Sequence, residues 1–188
     1  MEKIKNSKRS EKILEILRGK KAKYIVGTTL LSGIGIALPR IFHILVGSSA
    51  GATFLPMHIA VLIASLTFGI FSGSIVATSS IVFSYLLTGM PALARLPYML
   101  IELLIYAVLL GGFSKKFNNH ISLISTIILG RIIYSAVLFV STNVIGLNGY
   151  GISVIESVKA GIPGIIIQLL FVPVIAKVMN ERLNLKND

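Results

Sequence analysis

Between residues 24 and 180 the chain runs in long apolar stretches separated by short clusters of Gly, Ser, Pro and charged residues. An α-helix rises about 1.5 Å per residue, so about 20 mainly apolar residues are needed to cross a hydrocarbon core roughly 30 Å thick. Six stretches approach that length: 24–46, 55–71, 73–89, 94–113, 121–143 and 157–180. The second and third are short, and the break between them, Phe71-Ser72-Gly73, reads as a tight helical hairpin punctuated by its glycine. The pattern predicts an all-α integral membrane protein, a compact bundle of six transmembrane helices, with five or seven spans as the neighbouring counts. Residues 1–23 precede this domain as a basic segment, in which residues 10–18 place Ile13, Leu14 and Leu17 on one helical side and Glu11, Lys12, Glu15 and Arg18 elsewhere. That is the layout of an interfacial helix. Residues 181–188 form a polar tail. No internal repeat stands out, which argues against an inverted-repeat secondary transporter.

Composition sharpens the membrane reading. The 188 residues are 54% hydrophobic and 13% charged, where soluble domains are roughly 45–50% apolar and about 25% charged. Twelve of the 25 charges lie in residues 1–23, five in 177–188 and eight in between. The net charge of +11 raises nucleic acid as a partner, but the distribution decides against it. A basic arm ahead of apolar spans suits a cytoplasmic anchor beside anionic headgroups, whereas nucleic-acid binding needs a folded soluble face. With the N-terminus inside, fourteen Lys and Arg lie on the cytoplasmic side and three, Arg40, Arg95 and Lys159, outside, so both termini are expected in the cytoplasm. A cleaved secretory signal is the rival reading of the first apolar run. Its n-region is too long, and Pro39, Arg40 and His43 interrupt the path to Ala50-Gly51-Ala52.

Ionisable groups in hydrocarbon are costly and face a cavity, a partner or the interface. Arg131 lies about twelve residues from the outer end of its span, too deep to snorkel. Glu102, on the preceding span, is within an arginine's reach, since consecutive antiparallel helices are usual neighbours. Two readings stand side by side: a structural Glu102–Arg131 pair joining two helices, or a pair lining a ligand cavity. Tyr98, Glu102 and Tyr106 share one helix face, and Arg131, Tyr134 and Ser135 recur on one side of the next. Ala160, Gly164 and Gln168 form a small and polar stripe beside Lys159, with Pro163 positioned to bend the helix. Arg40 sits near the outer end of the first span. His43 and His58 flank the first outer loop without acidic company, so packing or hydrogen bonding is favoured over a metal or haem pair. His120 reads as solvated.

Other chemistry is missing. The absence of cysteine excludes disulfide scaffolds, thiolate metal sites and cysteine nucleophiles. There is no phosphate-binding Gly-x-x-x-x-Gly-Lys loop, no nucleophile elbow and no His-Glu-x-x-His helix, and residues 24–180 contain two acidic side chains. Neither an enzyme nor a cofactor or metal protein is expected. Polar groups leaning outward, with no energy-converting motif, suggest a binding and translocating subunit driven by partners.

The segment Phe54 to Pro91 resembles the substrate-binding S component of energy-coupling factor (ECF) transporters, which import vitamins and related micronutrients in bacteria and archaea. The resemblance rests on Leu55-Pro56-Met57-His58 opening the second span, the Gly69-x-x-x-Gly73 hairpin and Leu87-Thr88-Gly89-Met90-Pro91 closing the third, and extends more loosely through Leu96-Pro97 and Glu102. It implies a multi-pass protein of the plasma membrane, a micronutrient pocket near the outer face, and a module of two ATPases with a transmembrane coupling protein. In that family an Ala-x-x-x-Ala motif on the first helix packs on the coupling protein. Here the matching face reads Thr29, Gly33, Ala37, with Gly33-x-x-x-Ala37 in place of the alanine pair, and small residues still permit close approach.

The expected substrate site comprises Arg40, Arg131 and Lys159 as positive charge, Tyr98 and Tyr134 as flat surfaces bearing hydroxyls, and Glu102 and Gln168 as orienting groups. The substrate class that follows is a small anionic or zwitterionic micronutrient. An autonomous facilitator or small secondary transporter, with Glu102 as coupling carboxylate, is the first rival, and a non-transporting membrane scaffold the second.

Overall fold

The computed structural model describes residues 19–47, 53–93, 95–143 and 154–183. Six α-helices follow one another, and no strand occurs among the described residues: α1 Lys20–Val46, α2 Pro56–Phe68, α3 Ile70–Thr88, α4 Leu96–Phe113, α5 Asn119–Asn143 and α6 Val154–Leu183. All but α2 are long and apolar enough to cross a membrane. The thirteen residues of α2 reach only about 20 Å, so this run falls short of the span length expected for it. The interfacial helix expected over residues 10–18 lies outside the described residues, and α6 continues three residues into the expected tail, to Leu183.

The bundle is organised around α2, which packs on α1, α3, α4 and α6. Twelve of its thirteen residues are buried. Its entry is set by Leu55, in the left-handed region at φ 47°, followed by Pro56 in the first turn, where a proline's missing N–H has no helical partner to lose. The outer circuit continues through contacts of α1 with α3, α3 with α4, α4 with α5 and α5 with α6.

The α2–α3 hairpin turns at Gly69 (φ 86°), earlier than the Phe71-Ser72-Gly73 break expected from sequence. Phe71, Ser72 and Gly73 all belong to α3. Only glycine adopts so positive a φ without strain, which places the reversal at Gly69. Gly73 serves packing instead, because a side chain there would collide with Ser65 across the hairpin. Gly111 similarly lets α4 approach the backbone of Ile70. At the far end, Gly89 closes α3 in the left-handed region, and a cis Met90–Pro91 bond follows.

Candidate functional site

Three helices bring one charged or polar side chain each to a common point in the interior. Glu102 of α4 and Arg131 of α5 form an ion pair, Oε1 to Nη1, at 3.0 Å, with their side chains 6% and 11% exposed. His58, in the first turn of α2, places Nε2 at 3.5 Å from the same carboxylate oxygen. Each group compensates a cost the others create: an isolated buried charge is expensive, and one paired with an opposite charge is much less so. The reach of Arg131 to Glu102 is the one expected from sequence. For His58 the sequence favours packing or hydrogen bonding near the outer loop, without acidic company, and the structure carries it onto the carboxylate.

Aromatic rings wall this layer. Tyr106, one turn beyond Glu102, is buried, and its ring meets His58 edge-on with centroids 5.4 Å apart. It lies over Gly130, whose missing side chain leaves room for it. Tyr134 is also buried and lies within electrostatic range of Glu102 and Arg131. Tyr98, one turn before Glu102, hydrogen-bonds Ser141 through its hydroxyl and ties α4 to α5. Ser135, expected to share the polar face of Arg131, instead donates to the Arg131 carbonyl at 2.7 Å, so its hydroxyl serves its own helix.

Gln168 is 2% exposed. Gly164, one turn earlier on α6, abuts the backbone of Thr53 and Phe54 just ahead of α2. His58 follows Phe54 by four positions, as Gln168 follows Gly164. Ala160, the third member of the expected stripe, is exposed, as are Lys159 and Arg40. Those two cations therefore stand outside the buried layer that holds Glu102 and Arg131. Nε of Arg131 in this layer, and Nε2 of the buried Gln168 on α6, have no hydrogen-bond partner. Buried polar groups normally have partners in protein or bound molecules, so these are the atoms with capacity left for a guest.

On the other side of the bundle, Thr29, Gly33 and Ala37 are all exposed, and a side chain added at Gly33 would meet nothing within 4 Å. The stripe points away from the core residues Thr28, Leu31 and Gly35 of the same helix. Among the described residues no three His, Asp or Glu side chains gather as a metal site would require. No family model, curated protein or solved structure matches the chain.

Proposed function

We propose that this chain is a membrane-embedded solute-binding subunit, the substrate-specificity component of an ECF-type importer. The observation that carries the reading is the His58–Glu102–Arg131 layer. It is a polar ion-paired centre joining three helices of an otherwise apolar bundle, with Nε of Arg131 still unpaired, and the buried Gln168 of α6 keeps a second unpaired donor, Nε2. A small polar molecule with carboxylate or carbonyl acceptors answers those donors, and the buried rings of Tyr106 and Tyr134 suit its apolar parts. In this reading Glu102 aims the Arg131 guanidinium, and α2, with its approach through Leu55, completes the sixth span. The termini lie in the cytoplasm of a bacterial or archaeal cell.

The exposed Thr29, Gly33 and Ala37 stripe supports a partner-dependent mode of action, since small residues facing outward let a coupling protein's helix come close. The two ATPases of such a module would supply the energy that this chain has no motif to harvest. Uptake of a captured micronutrient by cells expressing the full chain tests this. Transport is expected only with the coupling protein and ATPases present. Gradient-driven uptake by the lone chain in ATP-free vesicles would overturn the dependence and favour the autonomous transporter.

A further inference from the structure

An apolar groove separate from the polar layer runs along the face shared by α1, α2 and α6. It has a volume of about 290 Å³ and its walls include Leu30, Ile34 and Leu38 of α1, Ile63 of α2, and Ile175 and Met179 of α6. Every residue lining it is apolar. Leu30 and Ile34, at 63% and 45% exposure, leave it open to the surroundings. Along α1 it extends from Gly27 to Leu38, about 16 Å of helix. That is close to half of a hydrocarbon core roughly 30 Å thick, hence the depth of a single leaflet.

One end of the groove is basic. Lys23, one turn before Gly27, donates through Nζ to the carbonyl of Leu183 at 2.7 Å, which pins the start of α1 to the end of α6. Lys21, Lys177 and Arg182 are exposed on those helix ends, and Glu181 is the acidic side chain described there. We propose that the groove holds one acyl chain of an anionic phospholipid whose headgroup phosphate is bound by Lys23, which lies on the groove face of α1 beside the end of α6, and by Arg182. The apolar wall has the length of one acyl chain, and the cations begin where it stops, at the level of headgroups. A partner helix crossing the membrane would call for a groove two leaflets long. The Thr29–Gly33–Ala37 stripe lies roughly a third of a turn around α1 from the groove, so a protein docked there leaves the lipid in place.

Native mass spectrometry of the full chain in detergent, with phosphatidylglycerol or phosphatidylcholine of identical acyl chains added, tests the site. Wild type is expected to retain one phosphatidylglycerol per chain under activation that strips phosphatidylcholine. The Lys23→Gln/Arg182→Gln variant should bind phosphatidylglycerol roughly 25-fold more weakly, about fivefold per cation. Leu30→Trp, at an exposed position, should exclude both lipids while keeping its helical circular dichroism. Equal retention of the two lipids, or an unchanged preference in the double variant, would overturn the proposal. So would a lipid-free dimer abolished by Leu30→Trp, which assigns the groove to a second copy.

Discussion

Helices α1 and α2 pack on one another and are both apolar, yet their surroundings are nearly opposite. Twelve of the thirteen residues of α2 are buried, whereas α1 is the least covered of the five spanning-length helices. Hydropathy measures compatibility with oil and says little about position within a bundle, because lipid tails are as apolar as leucine and do not sort helices inward. Small and polar residues do the sorting. Ala60 of α2 meets α1 at Gly35, Ser65 meets α3 at Gly73, and His58 meets the carboxylate of Glu102. On α1, Ser32 accepts a hydrogen bond from Ser79 of α3 at 2.8 Å, while Gly33, its neighbour in sequence, faces outward.

The sharpest way to break the buried side of this comparison is to orphan Arg131. Glu102→Ala is expected to cost about 3–5 kcal/mol, the usual penalty for leaving a buried charge unpaired, read as a lowered melting temperature by far-ultraviolet circular dichroism in detergent. Glu102→Gln combined with Arg131→Met should be the milder lesion, since neither charge remains. A double variant as damaging as Glu102→Ala would show that the pair does not act as a unit.

Two glycines of α1 then sharpen the contrast within one helix. Gly35→Leu pushes a side chain into Ser80 and Ala60 and should destabilise by about 1–3 kcal/mol through overpacking. Between the two in size comes Tyr98→Phe, which removes the hydroxyl bonded to Ser141 and should cost about 1 kcal/mol in the same melting assay. Gly33→Leu enters open space and should leave stability within about 0.5 kcal/mol. Under the proposed function, the same change lowers ATP-dependent uptake and weakens co-purification of the coupling protein. Normal uptake by Gly33→Leu would remove the stripe from the partner interface.

Much of the fold is legible in the sequence because crossing oil demands long apolar helices, and five of the six stretches acquire that length within a few residues of their expected ends. The hairpin is misplaced because Gly69 and Gly73 look alike in sequence: one supplies a positive φ and the other a close contact. The Glu102–Arg131 pair is legible since a deep arginine needs an anion. The role of His58 is not, because it depends on α2 beginning deep in the bundle, two residues before that histidine. Arg40 and Lys159, expected to add positive charge at the outer side of the site, are exposed and apart from the buried pair. Helices apolar on every side carry little periodic signal to say which face turns inward.

The proposed function stands or falls on whether the polar layer of α2, α4 and α5 holds a guest molecule. Native mass spectrometry of the purified full chain, compared with the folded Glu102→Gln/Arg131→Met variant, tests it most directly. A small polar molecule of constant mass is expected on the wild type, retained without ATP and absent from the variant. A wild type free of any such adduct when purified from producing cells, or a variant that keeps it undiminished, would contradict it.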